Sequence, residues 1–152
     1  MMVLSNTRNA LHQYEKVGVQ SEVENASPHR LVQMLMEGAA ARIAAAMGHL
    51  ARGAIAEKGR SISLAISIIE GLRSSLDKDK GGQIANNLDQ IYDYMSRRLL
   101  EANLKNDRAM LNEVQNLLRQ IKEGWDAVAG GAADGDASRP RSAPPTTVQV
   151  TG

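Results

Sequence analysis

Apolar side chains recur every three to four residues along four separate segments of the chain. Short breaks containing Gly or Asn separate the segments, which lie near residues 27–51, 57–77, 82–104 and 107–128. Such spacing places the apolar side chains on one face of a helix. Connections of only a few residues force neighbouring helices to be antiparallel. The pattern therefore predicts an all-α protein, an antiparallel up-down four-helix bundle over residues 27–128.

The flanks of these four segments differ from them in pattern. Residues 1–26 carry only scattered apolar side chains, which are enough to dock an N-terminal arm on the bundle. Residues 129–152 hold three of the four prolines and four of the thirteen glycines, and almost nothing large and apolar. Such a composition cannot offset the entropy of folding. We therefore expect an N-terminal arm and a disordered C-terminal tail.

The third and fourth predicted helices each have a single apolar stripe, which predicts their core faces. The stripe of the third helix comprises Ile84, Leu88, Ile91, Met95, Leu99 and Ala102. The stripe of the fourth comprises Met110, Val114, Leu117, Leu118, Ile121, Trp125 and Val128. Tyr94 points away from the stripe of its helix and is a candidate for contact with a partner.

The first two predicted helices each have a second apolar stripe. On the first helix it comprises Met34, Gly38, Ala41 and Ala45; on the second it comprises Leu64 and Ile68, with Leu72 between the two faces. Apolar surface left in water costs roughly 25 cal/mol per Å². These stripes predict a surface covered by the arm or by a partner helix. The spacing leaves two alternatives open: the second stripes pack the first two helices together, or they are buried in the interface of a homodimer.

Charge and composition narrow the class of partner. Eighteen basic and seventeen acidic residues give a formal net charge of +1, too small to attract nucleic acid or anionic lipid. The chain has no cysteine, which excludes disulfides, thiolate metal sites and cysteine nucleophiles. No segment approaches the roughly 20 apolar residues that span a bilayer, and the N-terminal run lacks a signal-peptide core. We expect a cytoplasmic protein that recognises another chain by shape and apolar surface.

Catalytic and metal-binding motifs give little support for an enzyme. The three histidines have no carboxylate three residues before them, so the di-metal motif of helical bundles is absent, and no phosphate-binding glycine motif occurs. We predict no metal, no cofactor and no enzymatic activity. One alternative is histidine phosphotransfer, because the run from His49 to Gly53 is similar to the His-x-Leu-Lys-Gly pattern of that class. Here the leucine is displaced by one position, and Gly53 falls where the helix should end.

Three long strings resemble the flagellin export chaperone family, FliS. They are ASPHRLVQMLMEGA at 26–39, DKDKGGQIANNLDQIYDYMSRRLLEANLKND at 77–107, and LNEVQNLLRQIKEGW at 111–125. The resemblance implies an antiparallel four-helix bundle that binds the C-terminal helical segment of newly made flagellin in the cytoplasm. Such a chaperone prevents premature polymerisation of flagellin and delivers it to a membrane protein of the export gate.

The resemblance also implies where binding occurs. In the family the partner wraps around the bundle in hydrophobic grooves, and an N-terminal arm covers part of the site and docks at the export gate. Leu11 and Tyr14 match the positions of that arm. The partner-binding residues that we expect are Leu11, Tyr14, Met34, Gly38, Ala41, Ala45, Leu64, Ile68, Leu72 and Tyr94. We expect a monomer or a weak homodimer.

Overall fold

The computed structural model describes the backbone of residues 20–134 and the side chains of residues 23–128. Every regular element within this part of the chain is a helix. The helices are α1 (Gln20–Asn25), α2 (Pro28–Ala51), α3 (Ile55–Ser74), α4 (Lys78–Lys105) and α5 (Arg108–Asp134). The prediction of an all-α bundle is confirmed, and helices α2 to α5 correspond to the four segments expected from the periodicity.

Local signals in the sequence explain where the long helices begin and end. The Ser27 side chain accepts a hydrogen bond from the backbone N–H of Arg30 at 3.1 Å, and Pro28 is the first residue of α2. Asp77 caps α4 in the same way. Asn106 adopts the left-handed conformation (φ 52°) that ends α4, and Asp107 then accepts a hydrogen bond from the backbone of Met110 in α5.

The four long helices form a closed ring of neighbours. Helix α2 packs against α3 and α5, and α4 packs against the same two helices. Two hydrogen bonds fix the antiparallel course of α3 and α4. Arg73 near the end of α3 donates to Asp89 of α4 at 2.7 Å, and Lys58 near the start of α3 donates to the backbone oxygen of Asn103 at 2.8 Å. The core lies along the axis of this ring and includes Val23 of α1.

A clasp between His29 and Trp125 joins the first turn of α2 to the C-terminal part of α5. The two rings stack with centroids 4.5 Å apart and an angle of 11° between their planes. His29 Nε2 lies 3.1 Å from the backbone oxygen of Trp125, and the indole N–H donates to the backbone oxygen of His29 at 3.1 Å. One turn further along α2, Gln33 donates to Asp126 at 2.7 Å. These contacts join the first long helix to the last and so complete the ring of four helices.

Two positions of the predicted core stripes are exposed instead, Ile84 at 71% and Val128 at 57%. Gly82 has φ 51° and ψ −127°, which breaks the helical path just before Ile84, so the buried face of α4 begins only at Ala85. Val128 lies one turn beyond Trp125, which already meets the first turn of α2, so α2 does not extend as far as Val128. Helix α5 continues to Asp134, and the first residues of the predicted tail are therefore helical.

The expectation that the second stripes are left outside the core is wrong for Met34, Gly38, Ile68 and Leu72, which are all buried. The reason is that α2 and α3 each pack against two neighbours and make the most extensive helix contact in the bundle. A helix with two neighbours buries a wider arc than one stripe covers. The alternative in which these residues pack the first two helices together accounts for them.

Burial of Tyr92 predicts a loss of stability at high pH. Tyr92 is 2% exposed, and burial raises its pKa from 10 to about 12. Between these values the unfolded chain releases the phenolic proton while the folded protein retains it, so stability is full below pH 10 and falls as pH rises. We expect Tyr92 to contribute a loss of about 2 kcal/mol by pH 12. Urea unfolding of the wild type and Tyr92→Phe at several pH values would measure it; parallel pH profiles would contradict the prediction.

Candidate functional site

The candidate functional sites are apolar positions that remain open on the surface of the bundle. Among residues 20–134, no group of three or more His, Cys, Asp or Glu side chains is placed to hold a metal ion. No helix in the same part of the chain is long and apolar enough to cross a membrane.

The first such surface lies along the outer edge of the contact between α2 and α3. Ala41 is exposed, and Ala45 and Leu64 are half-buried. Ala41 and Ala45 continue the line of the buried Gly38 on α2, and Leu64 precedes the buried Ile68 by one turn of α3. In helix-in-groove recognition, a partner helix lays its apolar face on open apolar positions of this kind. We call Ala41, Ala45 and Leu64 the α2–α3 groove; they are the part of the predicted stripes that stays at the surface.

Tyr94 is not a free recognition side chain. Its hydroxyl donates to Glu113 of α5 at 2.5 Å, and Arg98 donates to the same carboxylate at 2.7 Å. The bond to Tyr94, followed by the bond to Arg98, lowers the pKa of Glu113, and the bond to Glu113 raises the pKa of Tyr94. The guanidinium groups of Arg97 and Arg98 lie 5.9 and 5.8 Å from the ring centroid. Tyr94 therefore links α4 to α5. Its role in binding a partner remains a prediction.

A similar network joins α3 to α4. Arg73 donates to Asp89 at 2.7 Å and to Asp93 at 3.2 Å. The hydrogen bond from Arg73 lowers the pKa of Asp89. These pairs are partly exposed and hold two helices in register, so they give no sign of acid–base chemistry.

The second apolar surface was missed by the sequence analysis. Ile55 at the start of α3 is 48% exposed, and Leu100 and Leu104, one turn apart on α4, are 54% and 76% exposed. We call these three residues the α3–α4 shoulder. Beside them the buried Lys58 donates to the Asn103 backbone at 2.8 Å and to the Asn106 side chain at 2.5 Å. The available signal was the leucine pair at i, i+4 outside the core stripe of α4.

Two of the predicted partner-binding residues, Leu11 and Tyr14, lie outside the described residues. His49, the residue of the phosphotransfer alternative, can be placed. His49 lies in the last turn of α2, where the guanidinium of Arg52 donates to its Nδ1 at 3.0 Å. Gly53, with φ 74°, follows the end of that helix, so the segment lacks the mid-helix context of a phosphotransfer motif.

The chain is similar to known proteins over the whole bundle. The family profile described as "Flagellar protein FliS" matches residues 10–132. The flagellar secretion chaperone FliSB of Pseudomonas aeruginosa is 48% identical over 120 residues, which cover 79% of this chain and 95% of the relative. The flagellar secretion chaperone FliS of Salmonella typhimurium is 44% identical over 128 residues, which cover 84% and 95%. That of Bacillus subtilis is 31% identical over 106 residues, which cover 70% and 78%.

Proposed function

Since this chain belongs to the FliS family of flagellar secretion chaperones, we propose that its cargo is the C-terminal helical segment of flagellin. The chain binds this segment in the cytoplasm, prevents its premature polymerisation and delivers it to a membrane protein of the export gate. The observation that carries the proposal is the family match over residues 10–132, which includes nearly the whole of all four bundle helices. The phosphotransfer alternative has no support among the similar proteins.

The apolar positions still open on the bundle support this reading. A segment that orders only on binding must lose conformational entropy at that moment, and long apolar grooves supply the compensating burial. The α2–α3 groove is such a surface, with the buried Ile68 and Leu72 supporting it from the core. The arm residues Leu11 and Tyr14 would cover part of the groove before cargo binds, and would serve in docking at the gate. None of these steps needs a catalysed reaction or a cofactor.

Replacing Leu64 with Asp tests the groove. Leu64 is half-buried, so a carboxylate there can reach water and the bundle should stay folded. The same carboxylate would have to be buried when an apolar helix covers the groove. We expect affinity for a flagellin C-terminal fragment to fall by at least about 30-fold, the equivalent of about 2 kcal/mol. The measurement is co-purification followed by isothermal titration calorimetry.

Asn116→Asp is the matched control, because Asn116 is exposed on α5, away from the contact between α2 and α3. It should bind the fragment like the wild type. Flagellin that lacks its C-terminal helix should not co-purify with any of the three proteins. Binding of truncated flagellin would contradict the proposed cargo, and full affinity of Leu64→Asp would contradict the groove.

A further inference from the structure

The first turn of α4 does not continue the axis of the helix that follows it. Gly82 has φ 51° and ψ −127°, a conformation that glycine adopts readily and that residues with a side chain adopt only under strain. Gly81 is needed as well, because a Cβ atom added there would lie 2.7 Å from the Cβ atom of Ala85. We call residues 78–82 the fold-back. Its shape requires both of its glycines.

An ion pair shows how far the fold-back turns. Lys78 Nζ lies 3.5 Å from a carboxylate oxygen of Asp89. In a straight α-helix, residues 78 and 89 would lie about 16 Å apart along the axis, too far for the two side chains to meet. Arg73 at the end of α3 donates to the same carboxylate at 2.7 Å. Asp89 therefore holds the end of α3 and the start of α4 side by side.

The short connection between α3 and α4 makes this turn necessary. Residues 75–77 join the two helices, so the Cα atoms of Ser74 and Lys78 can be at most about 14 Å apart. In a straight α4, Lys78 would lie about 16 Å beyond the level of Asp89 and roughly 8–10 Å to the side of the axis of α3. The connection cannot span that distance. A straight α4 therefore cannot pack against the end of α3 in the same chain.

The bundle consists of two helical hairpins that meet along two contacts. One hairpin is α2 with α3, and the other is α4 with α5. The hairpins meet where α3 packs against α4 and where α2 packs against α5. Neither contact requires that both hairpins belong to one chain. If the fold-back were straight, each hairpin could make the same contacts with the complementary hairpin of a second copy, in a dimer with two-fold symmetry.

We propose that the fold-back is a hinge that decides between two assemblies of this chain. When it is folded back the chain closes on itself as a monomer, and when it is straight two chains exchange helical hairpins and form a dimer. Glycine adopts both the folded-back and the helical conformation, so Gly81 and Gly82 permit either form. Short connections under strain favour exchange of this kind. Both assemblies go beyond the proposed function, and neither depends on the identity of the cargo.

Gly82→Ala tests the hinge, because alanine disfavours the folded-back conformation and favours a continuous helix. We expect this variant to have twice the mass of the wild-type monomer by size-exclusion chromatography with light scattering. Its helicity by circular dichroism should be at least that of the wild type. Gly124→Ala is the matched control, since a Cβ atom added at Gly124 meets nothing within 4 Å, and it should stay monomeric.

Gly81→Ala gives a second test, with a rescue. Its Cβ atom would clash with that of Ala85 in the folded-back form, so this variant should also form the dimer. The double variant Gly81→Ala, Ala85→Gly removes the clash and should return to the monomer, although a glycine within α4 makes it less stable. Loss of stability alone would not produce this reversal. If Gly82→Ala does not fold, the masses of Gly81→Ala and of the double variant decide in the same way.

The route of assembly separates exchange of hairpins from contact between two intact bundles. Tagged and untagged Gly82→Ala dimers should form mixed dimers only after they are unfolded in urea and refolded together, because the hairpins must first come apart. Mixed dimers that form when the folded proteins are combined would indicate a surface contact and overturn the proposal. A folded, monomeric Gly82→Ala protein would overturn it too, as would a loss of helicity in both Gly82→Ala and Gly81→Ala.

Discussion

Ile68→Asp is expected to unfold the bundle at room temperature. Ile68 is 2% exposed in the core, so the substitution removes a buried aliphatic side chain and places a carboxylate among buried apolar residues. Loss of the side chain costs about 2–5 kcal/mol, and burial of the charge adds several more. Small domains have only about 5–15 kcal/mol of stability in total. Far-ultraviolet circular dichroism and urea unfolding would measure the loss.

Leu64→Asp is the comparison, because Leu64 lies one turn earlier on the same helix and is half-buried. It should keep its helicity and a cooperative unfolding transition. A folded Ile68→Asp protein would show that this position is not core. If both variants unfolded, the α2–α3 groove could not be tested through Leu64, and Ala41→Asp, at an exposed position of the groove, would take its place.

Trp125→Ala is expected to lower the free energy of unfolding by about 3 kcal/mol. The substitution removes the ring that stacks on His29 at 4.5 Å and the indole N–H that bonds to the His29 backbone at 3.1 Å. For a helical domain of this size we expect the Tm to fall by roughly 12 °C. Thermal unfolding followed by circular dichroism would measure it.

Two variants of α5 separate the contributions to this effect. Trp125→Phe keeps a ring for the stack but loses the indole donor, so it should lose about 1 kcal/mol. Val128→Ala, one turn further along and 57% exposed, should change the stability by less than about 0.5 kcal/mol. Equal losses for Trp125→Ala and Val128→Ala would mean that the clasp does not stabilise the bundle.

The periodicity predicted which face of each helix is buried, but not where the neighbouring helix ends. Met95 and Leu99 are fully buried as the stripe of the third segment predicted. Ile84 and Val128 continue their stripes in the sequence, yet both are exposed. Gly82 breaks the helical path of α4 just before Ile84, and α2 does not extend as far as Val128. The spacing of residues within one helix carries no information on the length of the helix packed against it.

The candidate surfaces were harder to predict because exposure depends on how many neighbours a helix has. If each helix had one narrow contact, a second apolar stripe would lie outside the core. Helices α2 and α3 instead bury wide arcs that include Gly38 and Leu72. Leu100 and Leu104 give the opposite case. They lie close to core residues of α4 in the sequence. In the structure the neighbouring helix α3 does not cover them, and both remain exposed to water.

The clasp has a consequence for how the protein is made. His29 and Trp125 are 96 residues apart in the chain. At the usual pace of translation, roughly 5–20 s pass between their synthesis. The hairpin of α2 and α3 can pair early through contacts close in sequence, but the ring cannot close until α5 has left the ribosome. The nascent chain therefore completes its own tertiary structure only at the end of its synthesis, and its first two helices wait with their apolar faces incompletely covered.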